Sequence, residues 1–149
     1  MMAQPHRVVS IAFIVLGVAQ PKGSTKAFMR PGMRFPVVTN DNPKTKPWAE
    51  IVRLVAQQHA PQGGPWSGPV DLTTTFYLPR PKSLPKRVLH HTKKPDLDKL
   101  VRAVKDALKG VLYLDDSQVV DVKAMKRYAT SIHPPGVMVE IEPVIEGGH

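Results

Sequence analysis

The stretch "PDLDKLVRAVKDALKG", residues 95–110, decides how this chain is read. Leu97, Leu100, Val101, Val104 and Leu108 recur at the spacing of one helix face, and Asp98, Arg102, Lys105 and Lys109 fall on the opposite one. The ends carry helix punctuation. Pro95 pushes Lys94 toward an extended backbone. Acids at the start and lysines at the end suit the helix dipole. Gly110 is a natural stop. The stretch predicts an amphipathic helix over 97–109, entered from an extended segment.

Outward from it, strand patterns lie on both sides. "PVDLTTTFYLP" (69–79) alternates, with Val70, Leu72, Thr74 and Phe76 on one face. After the helix, "VLYLDDSQ" (111–118) reads as a short turn. "QVVDVKAMKRYA" (118–129) reads as a strand with Val120, Val122 and Ala124 on one face and Asp121 and Lys123 on the other. "GVMVEIEPV" (136–144) is a last strand, followed by a mobile tail from about 145.

Near the start, "VVSIAFIVLGVA" (8–19) is too short to span a bilayer as a helix. Gly17 and Ala19 would suit a signal-peptide cleavage site, but only Arg7 and His6 precede the run as a basic region. Its Val and Ile content favours a buried strand over about 7–18. Residues 19–47 follow as a long loop with five prolines, in which Val37 and Val38 form a short extended piece. "PWAEIVRLVAQQHA" (47–60) then reads as a helix, with Pro47 and Glu50 toward its first turn. The element order β–α–β–α–β–β predicts one domain over 1–149. Its class is α+β (mixed α/β), a small mixed sheet with two main helices.

Bulk composition narrows the function. A length of 149 residues suits one sizeable core. A net charge of +9 points to a polyanionic partner such as DNA or RNA. No basic amphipathic helix suggests a membrane surface. The absence of cysteine excludes disulfides, thiolate zinc sites and cysteine nucleophiles.

The charge is unevenly placed. "RPKSLPKRVLHHTKK" (80–94) holds six Lys or Arg, two His and no acid. It leads directly into Asp96 and Asp98. Six of the chain's twelve acids lie within 96–121: Asp96, Asp98, Asp106, Asp115, Asp116 and Asp121. Helix capping alone accounts for an acid at this helix start, since an N-cap Asp contributes roughly 0.5–2 kcal/mol over Ala. Two acids one residue apart share a face only where the chain is extended, as it is on approach to this helix. The predicted helix is about 20 Å long, and Val111 to Leu114 extends only about 13 Å. Bringing Asp115 or Asp116 back beside Asp96 therefore requires a tilted helix or help from the turn. Clustered carboxylates would call for a hard cation, Mg²⁺ or Mn²⁺. His90 and His91 are poor ligands for one ion because adjacent side chains rarely converge.

At this point the residues carry a resemblance. "DLDKLVRAVKDALKGVLYLDDSQVVDVKAMK" (96–126) resembles the signature of RusA-type Holliday-junction resolvases, an endodeoxyribonuclease family, and "QPKGSTKAF" (20–28) resembles the family's first loop. The resemblance implies a cytoplasmic, bacterial or prophage-encoded homodimer of mixed α/β fold. It implies symmetric, Mg²⁺-dependent cutting of four-way DNA junctions in recombination and repair. It carries the metal-binding, catalytic carboxylates onto Asp96, Asp98 and Asp116, with Asp115 a neighbour. The family's helix lysine aligns with Arg102, which keeps the charge but cannot serve as a proton donor. Lys93 and Lys94 would then grip phosphates beside the cut, with Arg80, Lys82, Lys86 and Arg87 extending the track. Lys22, Lys26, Arg30 and Arg34 of the first loop would add to it. Such contacts make binding strongly salt-dependent. Two other classes fit the composition: a non-catalytic DNA- or RNA-binding module of the same fold, and an Asp-x-Asp nucleotidyl- or glycosyltransferase. The latter lacks a phosphate-cradling glycine motif here.

Overall fold

The computed structural model describes residues 9–23, 25–29, 31–40 and 42–145. Arg7, Arg30 and the tail residues 146–149 lie outside the described residues.

The fold is built on β4 (Val70–Leu78), whose alternation is realised in full: Val70, Leu72, Thr74, Phe76 and Leu78 are buried. It lies inside a four-stranded sheet of order β1-β6-β4-β5, where β1 is Ile11–Leu16, β5 is Val119–Tyr128 and β6 is Gly136–Pro143. β6 runs antiparallel to both β1 and β4. β5 runs parallel to β4. Parallel neighbours need a crossover, and it is supplied by α2 (Leu97–Leu108). The chain therefore leaves one end of β4 through the basic segment, returns along α2, and starts β5 at the far end of the sheet.

Helix α1 (Thr45–Gln58) and α2 close one core with the inward rows of the strands. Trp48, Val52, Phe76, Leu100, Val104, Leu108 and Val139 are among its members. The α2 stripe is seated as its spacing predicts, with Leu100, Val101, Val104 and Leu108 buried and Leu97 packed at the margin. Gly136 on β6 pairs with Leu16 of β1 and lies tight against it. A Cβ there would lie 2.3 Å from the Val15 carbonyl oxygen, so only glycine fits. No described helix is long and apolar enough to cross a membrane.

Four expectations are corrected. The first strand covers Ile11–Leu16, shorter than the 7–18 run. The proline-rich loop holds an antiparallel hairpin, β2 (Thr25–Phe28) with β3 (Val37–Asn40), so Val37 and Val38 belong to a paired strand. Helix α1 begins before Pro47, because Thr45 is buried and its hydroxyl donates to the Pro21 carbonyl at 2.7 Å; Glu50 falls beyond the first turn. On β5, Val120 is 61% and Val122 41% exposed although Ala124 packs on the core. The cause is position: β5 is an edge strand, and a register shift beside Val70 leaves Val120 without a partner on β4.

Candidate active site

The basic segment contains no helix or strand over 80–94, yet it is tied down at several points. The Arg80 guanidinium donates to the carbonyls of Val88 and Pro85, each at 2.8 Å, and lies 5.1 Å over the Tyr128 ring. The His91 ring packs against Tyr128 at 4.7 Å. Burial first, and the Lys126 charge second, hold the His91 imidazole below its ordinary pKa. Lys126 on β5 reaches across to the start of α2 and donates to the carbonyls of Lys93 (2.7 Å) and Pro95 (3.0 Å). Lys82, Lys86, Arg87, Lys93 and Lys94 are all exposed. Arg80 and Lys22 differ from them, being engaged within the fold: Lys22 pairs with Asp106 at 2.6 Å. Arg34 is exposed, and Lys26 falls on β2.

Asp96 occupies the N-cap position of α2, and its carbonyl accepts from Leu100 N–H at 3.1 Å. Its carboxylate makes no capping hydrogen bond. It lies 3.6 Å from the Lys99 ammonium instead. The capping explanation for this acid is thus not realised, and an exposed carboxylate remains beside Asp98 in the first turn.

Asp115 and Asp116 occupy the other end of α2. The backbone there is held by Tyr113, a fully buried ring whose hydroxyl donates to the Lys105 carbonyl at 2.8 Å and lies 3.5 Å from Asp116 Oδ1. Burial, reinforced by the charge of Asp116, pushes the Tyr113 phenol far above its ordinary pKa. Asp115 is fully employed. It caps the short 3₁₀ turn Asp116–Gln118, accepting from the Ser117 amide and hydroxyl, and it faces Lys109 at 3.4 Å. These contacts, Ser117 foremost, hold its carboxyl down to about 2. Gln118 completes the turn. Its side-chain oxygen accepts from the Leu114 and Asp115 amides, and its amide donates to the carbonyls of Trp66 and Gly68. Asp116 caps nothing; its Oδ1 accepts the long contact from the Tyr113 hydroxyl at 3.5 Å.

The acids therefore form two pairs. Seven residues, about 10 Å of axial rise, separate Asp98 from Lys105, whose carbonyl marks the level of Asp116. Among the described residues no group of three or more His, Asp or Glu gathers as a metal site. Within one chain, then, Asp96, Asp98 and Asp116 do not fit a single ion. Asp98, Arg102 and Lys105 share one ridge of α2 by their spacing, Lys109 follows as the extended C-cap, and Arg102 is exposed between the two pairs. Lys126, Tyr113 and Gln118 are the positions that sequence reasoning missed. The apolar triplet Val111–Tyr113 straight after Gly110 was the available signal for a buried Tyr113.

A family model for endodeoxyribonuclease RusA matches residues 19–142. The chain belongs to that family. It is also similar to the uncharacterized protein YqaN of Bacillus subtilis (strain 168), with 38% identity over 144 residues covering 90% of this chain and 96% of that protein. Membership in the RusA family identifies nuclease action on DNA as the activity class, and the mixed α+β domain agrees with it.

Proposed function

We propose that this chain is a metal-dependent endonuclease that resolves four-way DNA junctions during recombination and repair in the bacterial cytoplasm. It acts as a homodimer whose two sites are each built from both copies. The observation that carries the reading is a pair of acids without capping duty: Asp96, at a cap position without a capping bond and facing only the Lys99 ammonium among the described residues, and Asp116, touched by the Tyr113 hydroxyl beside an Asp115 that caps the turn.

The separation of the pairs calls for a second copy. The unpaired edge of β5 supports where it docks, because an exposed edge with apolar side chains is a template for pairing. Antiparallel pairing of two β5 strands about Val122 would set Val122 on its twin and Val120 on the partner's Ala124. It would also set Asp121 opposite the partner's Lys123, an opposite-charge pair of the kind that favours register. In that register Asp116 approaches the partner's Tyr128 end, where Lys126 is bonded to the residues just before Asp96. Asp96 and Asp98 of one copy and Asp116 of the other would then hold Mg²⁺ or Mn²⁺, the hard ions such oxygens select. When bound, such an ion supplies a water of lowered pKa and neutralises charge on the scissile phosphate. Arg102 faces the same phosphate as a fixed cation. Lys93 and Lys94 hold the flanking backbone, joined by Lys82, Lys86 and Arg87.

The test compares a labelled four-way junction, a linear duplex and a flap, each with Mg²⁺ and with chelator. Paired cuts in the junction alone, abolished by chelator, are expected. Cutting unaffected by chelator would remove the metal, and equal cutting of all three substrates would remove junction selectivity.

A further inference from the structure

A cleft of about 530 Å³ opens directly beside Asp96. It lies between the segment after β1, the far end of β4, the close of the basic segment and the start of α2. Its lining includes the apolar rings of Pro21, Pro79 and Pro81 and the buried Leu78. Tyr128 and His91 also line it; the His91 ring packs tilted on Tyr128, and the Arg80 guanidinium lies over the Tyr128 ring. Burial, with the Lys126 charge, holds the His91 imidazole below its ordinary pKa and so favours its neutral form. The rim is different in kind. Lys93, Lys94 and Lys99 stand there with Asp96.

Apolar rings with exposed cations beside them suit a planar, uncharged ring attached to an anion. The volume falls in the range of small-ligand sites, about 300–1,000 Å³. We propose that this cleft receives one unstacked nucleotide of the DNA substrate, its base against the proline rings and its phosphate at the lysine rim, adjacent to the phosphate that is cut. The assignment rests on the nuclease reading and names the part of the substrate that this surface binds. Unstacking costs least where stacking is already interrupted, which at a junction is the branch point. The cleft therefore supplies a reason for cutting beside the branch: only there is a base readily released into it. A free nucleotide is disfavoured because Asp96 shares the rim with the lysines and would face a terminal phosphate of higher charge.

The experiment places 2-aminopurine, in turn, at each nucleotide flanking the branch of a four-way junction, and follows its fluorescence on adding the full-length protein with Ca²⁺ in place of Mg²⁺. Binding is followed in parallel by gel shift. A several-fold rise at one position, absent at the others, is expected. Val18→Trp supplies the control, because Val18 lines the cleft and is 52% exposed, so that the larger ring projects into the cleft mouth. This variant is expected to melt as the wild type does, bind the junction, lose the fluorescence rise and cut about tenfold more slowly. A bound junction with no rise at any position overturns the cleft assignment and leaves the nuclease reading standing. A rise that persists in a folded Val18→Trp shows a base leaving the stack for somewhere else, and also overturns it. No junction binding, together with no cleavage in Mg²⁺, sinks both.

Discussion

Two inactive variants, mixed, should regain activity. Along helix α2, Asp98 lies about 10 Å of axial rise from the level of Asp116, at about 1.5 Å per residue. Oxygens sharing a Mg²⁺ ion sit about 2.0–2.1 Å from it and hence within about 4 Å of one another. Asp98 and Asp116 of one copy are too distant for that, so the proposed metal site would draw them from different copies. Asp98→Asn and Asp116→Asn should each abolish junction cleavage when expressed alone. In a mixed dimer one site combines both substitutions and the other has neither. Random reassortment makes half the dimers mixed, so about a quarter of all sites are intact. The assay is cleavage of a labelled four-way junction by variants carrying different tags, refolded together, with exchange checked by tandem affinity capture. Because a mixed dimer has one working site, its product should be a single nick, with little paired resolution. A mixture that exchanges subunits yet stays as inactive as either variant would refute the shared site.

Three further outcomes follow from the fold. Val122→Glu places a charge on the exposed edge of β5, so it should leave the thermal midpoint nearly unchanged, give a monomer on sedimentation and lose cleavage; a persistent dimer would refute edge pairing. Gly136→Ala should destabilise by about 1–3 kcal/mol in urea unfolding, because its methyl group meets the Val15 carbonyl and overpacking costs that much. Asp115 has a folded pKa below the ordinary 3.8, so its carboxylate stabilises the fold above about pH 4 and that contribution fades as pH falls through about 2. Ser117→Ala should raise its midpoint in an NMR titration, and an unmoved midpoint would show that Ser117 is not the cause.

Where a segment's own side chains settle its environment, the sequence was readable. The α2 stripe and the β4 alternation were assigned to the correct faces because burial there follows the period. The hairpin β2–β3 was not readable, since its two four-residue strands lie among prolines and carry no alternation long enough to register. The exposure of Val120 and Val122 was hidden for another reason: whether a strand is central or at an edge depends on its neighbours. At the site, the residue types were legible and their partners were not. Arg80 and Lys22 look like any other cations in the chain, yet one braces the basic segment and the other pairs with Asp106. Asp115 and Asp116 are equivalent as a dipeptide, and only the capping turn distinguishes them.

The reach of Lys126 joins two regions that the chain keeps thirty residues apart. Its ammonium fixes the two carbonyls that flank the approach to Asp96, while its own backbone belongs to the exposed edge. Any event that stiffens that edge also stiffens the ground on which Asp96 stands. If the site is shared as proposed, a copy alone in solution would carry half a site and would leave the DNA it meets uncut. Cutting competence would rise with protein concentration and with a substrate able to bring two copies together, so that the branched DNA itself acts as the licence.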